Sequence, residues 1–336
     1  MKAIVYCGSN RVELRDVPAA EGVGVLIDVE ACGICGTDLT IYKGAHPRSK
    51  APLILGHEFV GRTAEDKDGF RPGERVVCYP LISCGNCETC LSGLPHICDK
   101  LRLYGIDTPG GMAQQVRIPA DDLVRVGLDI PTVVAAQVEP LAVCVHAARR
   151  ARVAPGENIA VIGAGPIGTT LAALLERNGV SSVTLFETNQ NRIEMLRQGG
   201  FEAHLADEYS YRNTLDKLGK SGFDVVFECA GVGPAVADAV RNVRAGGRVA
   251  IVSIHKGPQL VDLQALSFRE IELIGMRVYT REDFNLAAGL LQEMTQKLLW
   301  LAGDARKLED APELFEQLGQ GDGPMKAILE MGHSLA

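Results

Sequence analysis

The chain has 336 residues, 46% of them hydrophobic and 23% charged, with 37 glycines. This is the composition of an ordinary globular protein, and the length exceeds what one hydrophobic core usually serves, so two domains are expected. Thirty-four basic against 42 acidic residues leave a formal charge of −8 with no block of Lys or Arg standing out, which excludes a basic face for a phosphate backbone and argues against nucleic acid as the main partner.

Residues 2–6 read as a short strand rather than a secretory leader. Further short β segments follow at 24–30, 75–79 and 115–118, punctuated by Gly and Pro. From about Pro155 the texture changes. Residues 159–162 form an apolar strand and 168–178 a helix rich in Ala and Leu. A strand at 182–186, a helix through 193–198, and strands at 224–227, 248–252 and 273–275 come next. Short apolar runs alternating with helices predict a parallel sheet covered on both faces. Amphipathic helices at 284–291 and 311–318 and a last strand at 326–329 complete the chain. The longest nearly uncharged run, 159–175, is broken by Gly163, Gly165, Pro166 and Gly168, so no membrane span is expected and a cytoplasmic location is.

Four of the ten cysteines lie within fifteen residues, as Cys84-x-x-Cys87-x-x-Cys90 and, after seven intervening residues, Cys98. Disulfide frameworks belong to short secreted domains; four clustered thiolates instead suit tetrahedral zinc in a closed structural site. A zinc-ribbon nucleic-acid module is the alternative, and acidic Glu88 and Asp99 in and beside the loop speak against it.

Gly163-Ala164-Gly165-Pro166-Ile167-Gly168 fits G-x-G-x-x-G between a strand and a helix, the context that makes this short string informative. The first glycine permits the turn and the second lets a pyrophosphate approach. The third lets the helix pack close, with its N-terminal N–H groups toward the phosphates. The next strand ends at Glu187, twenty-four residues after Gly163, where a carboxylate can accept hydrogen bonds from the adenosine ribose and repel a 2′-phosphate. NAD is therefore expected over NADP, with Arg192, five residues beyond Glu187, a further candidate contact.

Cys35 in Gly33-Ile34-Cys35-Gly36-Thr37-Asp38 and His57 in Gly56-His57-Glu58 would each be unremarkable alone. Together with the four-cysteine lobe, Glu139-Pro140-Leu141-Ala142-Val143 and the glycine loop, in that order, they make the chain resemble, over its full length, the zinc-dependent medium-chain dehydrogenases, in the branch of sorbitol, threonine and butanediol dehydrogenases. The resemblance implies a GroES-like β-rich catalytic domain (1–146 and 278–336) and a Rossmann doubly wound α/β cofactor domain (147–277). It implies that Cys35 and His57 ligate a catalytic zinc, with Glu58 and Glu139 at the two carboxylate positions, and that zinc binds the lobe as well. Thr37 matches the hydroxyl that starts the family's proton relay, and Arg277 a position near the nicotinamide.

One departure is Thr40, where relatives often carry His; its task would pass to Thr40, to water or to His46. The activity implied is hydride transfer from a secondary alcohol of a small polyol, sugar or sugar acid to NAD. A threonine 3-dehydrogenase-like or butanediol dehydrogenase-like enzyme is the alternative, and a non-catalytic NAD-binding scaffold a reading of another class. Family members associate, so a homodimer or homotetramer is expected.

Overall fold

The computed structural model describes residues 1–321 and 323–332. The chain divides into one unit of Met1–Ala142 with Thr280–Ala336 and a second of Val143–Tyr279.

The first unit opens with the hairpin β1 (Lys2–Gly8) and β2 (Arg11–Asp16), then β3 (Val25–Gly33), the short helix α1 (Gly36–Tyr42), β4 (Leu53–Ile54), β5 (Glu58–Thr63) and β6 (Arg75–Cys78). A ribbon of β7 (Leu81–Ile82) and β8 (Arg102–Leu103) brackets the one-turn helix α2 (Glu88–Leu91); β9 (Gln115–Ile118), β10 (Leu123–Arg125) and α3 (Thr132–Ala135) follow. Helix α4 (Val138–Arg150) carries the chain into the second unit. There β11 (Asn158–Ile162), α5 (Pro166–Arg177), β12 (Ser182–Glu187), α6 (Gln190–Gln198), β13 (Ala203–Leu205), α7 (Glu208–Leu218), β14 (Phe223–Glu228), α8 (Gly233–Asn242), β15 (Val243–Ile251), α9 (Leu263–Phe268) and β16 (Glu272–Gly275) alternate. The chain then returns to the first unit through α10 (Arg281–Ala302), β17 (Arg306–Lys307), α11 (Ala311–Gln320) and β18 (Ile328–Glu330).

In the first unit β3 is the organising strand. Val25, Ile27, Val29 and Ala31 are buried at every second position, the period of a strand with one face on a core. It pairs antiparallel with β5, β9 and β18 within the sheet ordered β10-β6-β5-β3-β18-β17; a second sheet runs β2-β1-β4. The register Gly33↔Glu58 and Gly33↔Ile328 brings the end of the first cysteine motif against the start of the histidine motif and against the last strand.

The second unit is a six-stranded parallel sheet of order β13-β12-β11-β14-β15-β16. The order reverses between β11 and β14, and doubly wound sheets bind ligands outside the strand carboxyl ends at such a switch point. All five residues of β11 are buried, as a central strand covered on both faces requires. On one face Phe186 packs on Tyr211, ring centroids 4.2 Å apart, and on Phe223 at 5.9 Å. Among the described residues no helix is long and apolar enough to cross a membrane. Replacing Phe186, fully buried at this junction, by Ala should cost about 3–5 kcal/mol, read as a lower denaturant midpoint for this unit without a change of slope.

Candidate active site and metal centres

Cys35 is the N-cap of α1, and its N–H donates to Asp38 Oδ2 at 2.8 Å, so the third residue of the helix fixes the first turn. Glu58 begins β5 and His57 immediately precedes it, both buried. The donor atoms of Cys35, His57 and Glu58 lie within 4.8 Å of one another. Glu139 is buried in the first turn of α4, outside that group of three.

The electrostatics of this pocket are unusual. Burial works against protonating His57, yet Asp38, then Cys35 and Glu139, hold its pKa well above the ordinary imidazole value. Asp38, fully buried, has its own pKa raised by desolvation although His57 and the Cys35 N–H oppose this. The Asp38 Oδ1 and His57 Nδ1 atoms stand 3.8 Å apart, and neither has a hydrogen-bond partner. A ligating histidine usually turns its other ring nitrogen to a carboxylate in this way.

Glu58 is paired with the buried Lys326, whose Nζ also donates to the Ile34 carbonyl at 3.1 Å. Burial opposes the ammonium form of Lys326, but Glu58, then Cys35 and Glu139, keep its pKa above the lysine norm. Four acidic groups thus surround one lysine and one histidine. A divalent cation is the charge that such a donor set lacks, and thiolate, imidazole and carboxylate are zinc ligands. The residues fit the ion.

The lobe has a different character. Its sulfurs lie 3.4 Å (Cys84–Cys98), 3.8 Å (Cys87–Cys98) and 4.0 Å (Cys84–Cys90) apart. Tetrahedral zinc at about 2.3 Å from each sulfur sets them about 3.8 Å apart. Backbone N–H groups of Cys84, Cys90 and Lys100 donate to sulfurs of the cluster. Hydrogen bonding from Asn86, then Cys98, lowers the Cys84 thiol to about 6. Burial, with neighbouring thiols, pushes Cys90 up to about 12. Thiolates already favoured by N–H donors, with one thiol holding its proton against its neighbours, again describe a cation site. All four donors belong to the chain, so it offers no place for substrate.

In the second unit Gly163 follows β11 at φ +93°, and a Cβ there would stand 2.7 Å from the Ala230 nitrogen, so only glycine fits between these loops. Gly165 caps α5, Pro166 and Ile167 open it, and Gly168 is buried in its first turn. Glu187 is held at both oxygens: Oε1 accepts from the Thr188 and Asn189 N–H groups at 2.8 and 3.0 Å, and Oε2 from the Ala164 N–H at 3.1 Å and from Arg192 at 3.2 Å. Burial alone would raise its pKa; the Asn189 N–H, then Arg192, Thr188 and Ala164, hold it below the usual carboxylate value. Arg192, a candidate cofactor contact in the sequence, is its ion-pair partner. Arg277 is exposed just beyond β16.

Thr37 lies half-buried in the first turn of α1, its hydroxyl without a partner among the described residues. Thr40 donates to the Gly36 carbonyl at 3.0 Å, and His46 Nδ1 faces the Ser49 hydroxyl at 2.8 Å within its own loop. Sequence reading missed two residues. Asp38 could have been found from its capping position three residues after Cys35. Lys326 gave no signal, since 268 residues separate it from Glu58. A Cβ on Gly33 would overlap the Glu58 carboxylate and stand 3.1 Å from Lys326 Cε. Gly33→Ala should separate that pair and lower stability by about 1–3 kcal/mol, seen as a depressed melting midpoint.

The family model for the alcohol dehydrogenase GroES-like domain matches residues 21–128, and that for zinc-binding dehydrogenases matches 166–293. A 2-dehydro-3-deoxy-L-galactonate 5-dehydrogenase of Pseudoalteromonas atlantica is 36% identical, the match covering 98% of each chain. An L-threonine 3-dehydrogenase of an Anaeromyxobacter species is 36% identical over 80% of each. Among solved structures, one described as a zinc-binding dehydrogenase from Sinorhizobium meliloti, bound to NADP, superposes with a TM-score of 0.88 at 28% identity, covering 98% of this chain and 99% of that one. Galactitol-1-phosphate dehydrogenase from Escherichia coli shares the fold at TM-score 0.90 and 23% identity, covering 98% and 100%. The GroES-like and Rossmann architecture expected from sequence is borne out, and the chain belongs to the zinc-dependent medium-chain dehydrogenases, in the branch of polyol and threonine dehydrogenases.

Proposed function

We propose that this enzyme oxidises a secondary alcohol of a sugar acid, sugar or polyol with NAD as hydride acceptor, using zinc held by Cys35, His57 and one of the carboxylates Glu58 and Glu139. The observation that carries the reading is the half-buried thiol and the buried imidazole and carboxylate within 4.8 Å of one another, in a pocket with more acidic groups than cations. When bound, zinc supplies Lewis-acid polarisation of the alcohol oxygen, and nicotinamide the hydride-accepting ring.

The chain's own residues have separable tasks. Asp38 orients His57 and favours its remaining nitrogen as a donor. Lys326 shares the charge of Glu58 and so limits how much of that carboxylate reaches the metal. The unpartnered Thr37 hydroxyl can accept a proton from substrate and pass it on. Glu187 and Arg192 receive the adenosine ribose: the carboxylate favours NAD, and the guanidinium beside it softens the discrimination against a 2′-phosphate. Gly163, Gly165, Pro166, Ile167 and Gly168 bring the pyrophosphate to the start of α5, and Arg277 is a contact on the nicotinamide side. The four-sulfur lobe holds a second zinc that stabilises the fold.

A sugar acid is favoured as substrate because the relative named for one matches along nearly the whole chain, whereas the threonine dehydrogenase named above matches over 80%. The same reading makes the enzyme a cytoplasmic homodimer or homotetramer.

A panel of aldonates, keto-deoxy sugar acids, polyols and L-threonine, ranked by kcat/KM, should place sugar acids first; preference for threonine would reverse the assignment. Cys35→Ala should lower kcat by at least about a hundredfold, because the metal is lost, while NADH affinity stays near that of the parent chain. Glu187→Ala should lower the NAD-to-NADP ratio of kcat/KM by about tenfold; an unchanged ratio would remove Glu187 from the ribose.

A further inference from the structure

A cleft of about 580 Å³ opens in the first unit, and none of Cys35, His57, Glu58 and Glu139 lines it. Its volume lies in the range of small-molecule pockets. Its floor is apolar. Val5 and Ile54 stand opposite each other across β1 and β4, and the buried Leu53 and Ile106 extend that surface.

The walls are tied together. Arg48 donates to both oxygens of Asp107, at 2.9 and 3.0 Å, and Oδ2 also accepts from the Leu103 N–H at 3.0 Å. Beside this pair the Ser49 hydroxyl donates to the Ile106 carbonyl at 2.8 Å. Residues 48–50 are thereby fixed to residues 103–107 at the rim, so the cleft is preformed, and a guest bears little cost of ordering it.

The charges around the opening do not balance. Arg48, Lys50 and Arg102 bring three positive charges against the single carboxylate of Asp107, in a chain whose formal charge is −8. That carboxylate is already engaged by Arg48 at both oxygens. Lys50 and Arg102 are exposed, and among the described residues neither has a hydrogen-bond or ion-pair partner. An arginine fork matches a carboxylate or phosphate, and a lysine adds a point charge. Isolated surface cations are ordinary; here two of them line a cleft whose floor is buried and apolar. A bare anion would leave that floor wet, and a neutral apolar guest would leave both cations unpaired.

We propose that the cleft binds a small organic anion, a carboxylate or phosphate head on a short apolar chain. Lys50 and Arg102 hold the head, and Val5, Leu53, Ile54 and Ile106 receive the chain. The site stands independently of the alcohol oxidation, since the metal donors take no part in it.

Calorimetric titration of the zinc-replete chain with propionate, butyrate, hexanoate, hexyl phosphate and inorganic phosphate tests this. Among the carboxylates, affinity should rise about fourfold for each added CH2. Hexanoate or hexyl phosphate, according to which head the cations prefer, should bind at least about tenfold more tightly than inorganic phosphate. Lys50→Gln combined with Arg102→Gln, both at exposed positions where folding is little affected, should weaken the tighter of the two about tenfold. Cys35→Ala should leave its affinity as in the parent chain, which separates the cleft from binding at the metal centre. The proposal is overturned by an absence of binding, by affinity that ignores chain length, by a double variant that binds like the parent, or by loss of binding in the Cys35 variant.

Discussion

His57 is buried among Cys35, Asp38 and Glu139, whose negative charge overcomes the tendency of burial to strip its proton, while the ammonium of Lys326 is bonded to Glu58. Two like charges 4 Å apart interact by about 4 kcal/mol at the effective dielectric of a protein site. A divalent cation converts these repulsions into ligation. The first unit offers a donor set that fits an ion, and a coordination position left open is what lets such an ion act as a Lewis acid.

The backbone brings these groups together from distant parts of the sequence. Strand β3 delivers Cys35 just past its end, β5 begins at Glu58 with His57 just before it, and Lys326 lies two residues before the start of β18. Gly33 is the point where the three strands meet, and its missing side chain is the space in which Glu58 and Lys326 pair. The second unit applies the same economy. Glu187 ties the glycine loop to the next strand through the Ala164 N–H, and Glu228 ties the following loop to the segment that carries His255. Carboxylates at strand carboxyl ends fix the loops at this end of the sheet.

Much of this was legible in the sequence because the signals are local. The strand 115–118 was read to the residue, and β11, β12, β14 and β16 to within a residue at each end, since buried parallel strands appear as short apolar runs. The four-cysteine spacing and the glycine loop are local in the same sense. Strand β13 escaped because three residues, His204 among them, carry no periodic pattern, and α7 is mostly polar on its outer face, with Tyr211, Thr214 and Leu215 buried. Lys326 was read as part of a strand; nothing nearby announces that its ammonium is buried against Glu58. Arg192 gave no sign in the sequence of pairing with Glu187; the turn and first residues of α6 fold back on the strand end. Long-range electrostatic pairing is what a single sequence conceals.

Counting the metal in the folded chain addresses the central claim most directly. The two donor groups, Cys35 with His57 and Glu58, and the four cysteines of the lobe, predict two zinc ions per chain by elemental analysis of purified protein, with one remaining after Cys35 is replaced by Ala and the other thiols are untouched. A single zinc in the parent chain, retained in full by the Cys35 variant and not augmented by added zinc, would contradict the account.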